Sequence, residues 1–220
     1  MLDRKIEELK KKLILMGSIT EDSLEKAISG LIEENGELLD KVLNKNEHQI
    51  NKLEIEIDEF CTSLIALFQP EALYLRTILM ALKINNDLER IGDLAVNIAL
   101  SGKELIKKPK VKEFVDLPEL ANVVKKMQKL ALDSFVNGSG EIAKQVLEME
   151  KEADRLRDVI IEDLVGIMKK NPETVERSVE LIRITRNLER IADLCTNICE
   201  DVIYIVEGKI IKHGSVKEIN

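Results

Sequence analysis

Leu88-Glu89-Arg90-Ile91-Gly92-Asp93-Leu94-Ala95-Val96-Asn97-Ile98 returns one hundred residues later as Leu188-Glu189-Arg190-Ile191-Ala192-Asp193-Leu194-Cys195-Thr196-Asn197-Ile198, with eight of eleven positions identical. The offset is close to half of the 220-residue chain. A match that long at half-length marks an internal duplication. On a helix, Glu89, Asp93 and Asn97 fall at i, i+4 and i+8 and form one stripe, which Glu189, Asp193 and Asn197 repeat.

On either side of this stretch the pattern is helical. Leu9, Leu13, Met16, Ile19, Leu24, Ile28 and Leu31 predict a first helix from Asp3 to about Asn35, closed by the Asn35-Gly36 turn signal. A second helix is expected from about Glu37 to Leu67, and Gln69-Pro70-Glu71 reads as a break with Pro opening the third. After a basic, proline-bearing midpoint the order repeats. One helix starts near Glu119 and breaks at Gly138-Ser139-Gly140, and a second covers about Glu141 to Lys170. Asn171-Pro172-Glu173 then matches Gln69-Pro70-Glu71, with Asn171 as N-cap, and Gly208 closes the sixth helix. The expected fold is all-α: two tandem, pseudo-symmetric, antiparallel three-helix bundles over residues 1–108 and 119–208, with a linker at 109–118 and a frayed tail at 209–220.

The composition agrees with long amphipathic helices: 45% apolar, 34% charged, 3% aromatic, no Trp and four Pro. A net charge of −8 argues against nucleic acid as the main partner, since phosphate backbones need a basic surface. No apolar run reaches the length of a membrane span, the N-terminus lacks a signal-peptide core, and three unpaired Cys suit a reducing compartment. A cytoplasmic location without membrane insertion is expected.

Two readings of the stripe stand side by side. It lies opposite Ile84, Leu88, Ile91, Ala95 and Ile98, so it can be a solvated polar face. Yet carboxylates at i and i+4 repel unless a cation intervenes, and the stripe is kept in both halves. The preceding helix of each half adds Glu47 and Asn51, or Glu150 and Asp154, at the same spacing. Packed side by side, such helices would converge oxygen ligands suited to a hard cation such as Mg²⁺, Mn²⁺ or Fe, or to an oxygen-only Zn²⁺ site. The Glu-x-x-His element of ferritin-like oxidases is missing, because neither His48 nor His213 follows a Glu by three. No nucleophile-and-base set or phosphate-cradling glycine loop is present, so the chain reads as non-enzymatic. Cys195 and Cys199 take core-type positions and read as buried apolar groups rather than metal ligands.

The duplicated Leu-Glu-Arg-Ile-Gly/Ala-Asp stretch on the third helix of each bundle, together with Gln69-Pro70-Glu71, closely resembles the PhoU family from about Lys5 to Gly208. The resemblance implies a non-enzymatic negative regulator of phosphate uptake and of the phosphate-starvation response. Its partners would be the ATPase subunit of the phosphate ABC transporter and a phosphate-sensing histidine kinase, and it would often be a homodimer. It also implies multinuclear iron or zinc clusters. Carried over by position, the first would use Glu47, Asn51, Glu89 and Asp93, and the second Glu150, Asp154, Glu189 and Asp193. Asn51 departs from the family's Asp, with Glu54 and Asp58 available on the same face. Arg157, one turn beyond Asp154, would oppose a cation in the second site unless it points away. The rival implications are a metal-cluster protein with redox or hydrolytic activity, and a regulator of another phosphate transporter.

Overall fold

The computed structural model describes residues 1–208, 210–212 and 215–217. Its helices are α1 (Leu2–Ile32), α2 (Gly36–Lys41), α3 (Glu47–Phe68), α4 (Ala72–Leu105), α5 (Asp116–Asn137), α6 (Gly140–Lys170) and α7 (Val175–Glu207). A π turn, Val42–Asn46, runs α2 into α3, so the two act as one bent rod. That rod packs with α1 and α4, and α5, α6 and α7 form the second set. The architecture is therefore the expected pair of tandem helical bundles. Ile210–Lys212 and Ser215–Lys217 pair as an antiparallel hairpin, β1 and β2. The rest of the tail expected to fray, and with it His213, lies outside the described residues.

The heptad-like spacing of apolar residues becomes the core. Leu9, Leu13, Met16 and Leu24 of α1 are fully buried against Ile84, Leu88, Ile91 and Ile98 of α4, and Leu120, Val124 and Met127 of α5 do the same in the second half with Ile184, Leu188 and Ile191. Each fully buried aliphatic side chain contributes about 1.5–3 kcal/mol. Cys195 and Cys199 are buried within this core, where burial pushes the Cys199 thiol up to about 12. Both thiols are inert at neutral pH.

Local chemistry sets the helix ends, and α5 begins at Asp116, inside the stretch 109–118 expected as linker; two further departures concern Pro70 and Asn171. Asn35 caps α2 through its side-chain oxygen, which accepts from the backbone N–H groups of Glu37 and Leu38. Gly138 and Gly208 close α5 and α7 in the left-handed conformation, at φ 59° and 68°. Pro70, however, does not open α4. It sits buried between two left-handed residues, Gln69 (φ 43°) and Ala72 (φ 44°), and the helix begins at Ala72. Asn171 likewise makes no side-chain cap. Its carbonyl accepts the Thr174 hydroxyl at 2.7 Å, because Pro172 opens a single 3₁₀ turn before α7.

The two bundles join along two helix pairs, α1 with α5 and α4 with α7. Inside the first pair, Gln128 donates to the Thr20 hydroxyl at 2.6 Å with both residues buried. Helices α4 and α7 run antiparallel, with Ser101 bonded to Glu180 near one end and Lys83 to Asp201 near the other. The repeated stretches therefore cross at the centre of the molecule, related by an approximate two-fold axis.

Candidate functional site: the α4–α7 seam and its two carboxylate clusters

In each half the third helix is positioned by the rod before it. In the first half Gly92 is the contact point: a Cβ there would lie 2.7 Å from Ile50 Cδ1, so the absence of a side chain lets α3 approach. The second half reaches the same approach differently, with Ala192 and Ala153 both buried. This large-with-none, small-with-small exchange is the physical content of the Gly/Ala difference between the repeats. Ile50 seated on Gly92 sets the Glu47–Asn51 turn beside the Gly92–Asp93 turn. Asn85, buried on α4, donates to the Glu54 carbonyl at 3.0 Å and to Asp58 at 2.9 Å, which fixes the pairing one turn further on.

The second half draws all four of its expected residues together. Burial, then the charges of Asp154 and Glu189, raise the Glu150 carboxyl above its usual range. The Asp193 carboxyl is pushed up to about 6, by burial first and then by Glu189, Glu150 and Asp154. A cation already stands among them. Arg157 points inward and donates to Asp154 at 2.7 Å and to Glu189 at 2.9 Å through one nitrogen, and to Asp158 at 2.9 Å through Nε. Its guanidinium is held charged by that contact set. Two of the four oxygen donors are thus occupied by a side chain of the protein itself.

The first half is built the opposite way. Glu89 is half-buried, and its carboxyl is raised by burial, then by Asp93 and Glu54. Asn51 is exposed and Glu47 half-buried at the start of the same face. Among the described residues, Glu47, Glu54, Glu89 and Asp93 form no ion pair, whereas in the second half Asp154 and Glu189 both pair with Arg157. Glu54 holds the place on α3 that Arg157 holds on α6, three residues after Asn51 and Asp154 respectively. One duplicated position thus carries opposite charges in the two halves. Among the described residues no three Asp, Glu, His or Cys side chains stand in a geometry that would hold a metal ion.

As a solvated polar face, each stripe would lie on the outer surface of its own half. The antiparallel crossing of α4 and α7 instead turns the distal ends of both stripes into one shared groove, of about 450 Å³, lined by Arg90, Asp93, Leu94 and Asn97 with Arg190, Asp193, Leu194 and Asn197. This groove continues at one end into a second of about 480 Å³ that contains Arg183, Arg186 and Arg190. At the other end lies a third, of about 460 Å³, beside Asp87 and Asp201. Asp87 is buried and its carboxyl is pushed up to about 6 by burial and then by Asp201. No helix is long and apolar enough to cross a membrane among the described residues.

Comparison with known proteins agrees with this geometry. The model of the PhoU domain matches residues 13–101 and again residues 117–202, one match per bundle. The phosphate-specific transport system accessory protein PhoU homolog of Aquifex aeolicus is 36% identical over 217 residues, covering 99% of this chain and 98% of the relative. The accessory protein PhoU of Escherichia coli is 28% identical over 215 residues, covering 98% and 89%. The crystal structure of PhoU from Pseudomonas aeruginosa superposes with a TM-score of 0.91 at 33% identity, over 94% of this chain and all of that one. With both bundles matched and nearly the full length shared, the chain belongs to the PhoU family.

Proposed function

We propose that this protein is a cytoplasmic, non-enzymatic adaptor that restrains phosphate uptake and the phosphate-starvation response. It would dock on the ATPase subunit of a phosphate ABC transporter and on the sensor kinase that reads phosphate supply. The relatives named as accessory proteins of phosphate-specific transport support the pathway. The observation that carries the docking role is the α4–α7 groove, where both repeats present Arg, Asp, Leu and Asn on one open face. Charged, solvated rims of this kind steer encounters and fix register more than they add affinity. A pull-down from cell extract should retain the ATPase subunit and the kinase under ample phosphate. Arg90→Glu combined with Asn197→Glu, both at exposed groove positions, should lose at least one of them. Binding of neither partner by the parent protein, or full retention of both by the variant, would overturn the reading.

We also propose that any resident metal, iron or zinc with magnesium or manganese as alternatives, belongs to the first half. The residues Glu47, Glu54, Glu89 and Asp93, with the neutral oxygen of Asn51, make a hard donor set whose mutual repulsion a cation would relieve. Bound there, the ion would supply positive charge at the docking surface. In the second half Arg157 supplies that charge from the chain itself. Metal analysis of purified Glu89→Gln/Asp93→Asn and Glu189→Gln/Asp193→Asn variants separates the halves. Loss in the first variant alone is expected; equal loss in both would sink the assignment.

A further inference from the structure

We infer that the end of the α4–α7 seam bearing Arg183, Arg186 and Arg190 is a binding site for a short chain of linked phosphates, an inorganic oligophosphate. This rests on the groove alone and not on the adaptor reading. Arg183, Arg186 and Arg190 stand at i, i+3 and i+7 on α7, so their side chains share one face. They line an open groove of about 480 Å³ with Asn97, Ser101 and Asn187. In a chain of net charge −8, guanidinium groups one turn apart repel each other and call for an anion.

The carboxylates of the groove supply one to Arg183 alone. Glu180 accepts from the Ser101 hydroxyl at 2.8 Å and from Arg183 at 2.6 Å, and Glu104 is engaged by Lys107 at 2.7 Å. Arg186 and Arg190 are exposed, and neither has an ion pair or side-chain hydrogen bond among the described residues. The other end of the seam is an internal control, because the same fold there carries Lys83, Asn86 and Arg90 at the matching positions. Lys83 is engaged by Asp201, and Asn86 has no charge. Nothing in the fold therefore demands three arginines.

The length of the stripe selects the ligand. Seven residues at about 1.5 Å rise per residue separate Arg183 from Arg190 by about 10 Å. That exceeds one orthophosphate and suits about three linked phosphoryl groups. Planar guanidinium forks match phosphate oxygens bidentately, and the amides of Asn97 and Asn187 add neutral donors. The lining has no aromatic ring on which a base could stack, so a nucleotide gains nothing over its bare phosphate chain.

Isothermal titration of the full chain at about 0.15 M salt, where exposed charge pairs are well screened, decides the matter. Orthophosphate, pyrophosphate, tripolyphosphate and ATP are compared, with affinity expected to rise along the first three and ATP no tighter than tripolyphosphate. Arg186→Asn, which installs the residue found at the matching position 86, and Arg186→Ala/Arg190→Ala should weaken tripolyphosphate by about tenfold or more, the loss expected for charge-assisted hydrogen bonds. Lys169→Ala/Lys170→Ala, which removes equal charge from α6, should leave it unchanged. No saturable binding, no effect of the arginine variants, or an equal effect of the lysine pair would each overturn the proposal.

Discussion

Asp193→Asn should stabilise the protein at neutral pH, the reverse of the usual direction for an exchange of this kind. The folded state holds the Asp193 carboxyl at about 6 against an ordinary 3.8, because burial, Glu189, Glu150 and Asp154 all disfavour its charge. A carboxyl whose pKa is raised on folding contributes fully below its unfolded value, and that contribution is lost as pH climbs through the folded value. Here the window runs from about 4 to about 6. A rise of about two units corresponds to at most about 3 kcal/mol at about 1.36 kcal/mol per unit. Asp193 is only half withdrawn from water, so screening reduces this to about 1 kcal/mol. For a chain of this size about 1 kcal/mol moves the midpoint by about 2–4 °C. Thermal melts of the two proteins should differ by that amount at pH 7.5 and coincide at pH 4 and below. A variant less stable than its parent at pH 7.5, with the deficit removed by chelator, would mean that Asp193 holds a cation and that the charge argument is wrong. A difference independent of pH would refute it as well.

Two further outcomes test the packing that positions the seam. Ile50→Ala should cost about 2–5 kcal/mol through the cavity it opens, and adding Gly92→Ala should recover about 1 kcal/mol through helix propensity and a pair of small residues, as the second half has at the equivalent buried positions Ala153 and Ala192; urea unfolding of the single and double variants measures both. Thr20→Val should cost about 1–3 kcal/mol by stranding the buried Gln128 amide, whereas Gln128→Leu, which also removes an amide oxygen that has no partner, should cost less; equal losses in the two would rule out the bond as the cause.

The sequence made the duplication, the long helices and the buried cysteines readable, because each depends on spacing within one element. Met16, Leu24 and Ile28 mark a core stripe at helical period whatever packs on it. The boundaries at Pro70 and Asn171 were misread by a residue or two, since the left-handed turn at Gln69 and the 3₁₀ turn at Pro172 are choices of local backbone geometry that side-chain type biases without fixing. The site was legible in its parts only. Glu150, Asp154, Glu189 and Asp193 could be brought together from helix periodicity, but the inward turn of Arg157 depends on which carboxylates lie within its reach. The shared groove was not legible at all, because it arises from contact between residues one hundred positions apart, where periodicity carries no information.

The two-fold relation between the bundles has a genetic consequence. In a true homodimer one codon writes both sides of the axis, so a charge placed on one side is always met by its copy. Here the sides are written separately. Glu54 can stand where the other half has Arg157, and Asn86 where it has Arg186, without either change being forced on its twin. A seam that began with equal ends has thereby become one with a basic end and an acidic end, which gives any ligand lying along it a direction.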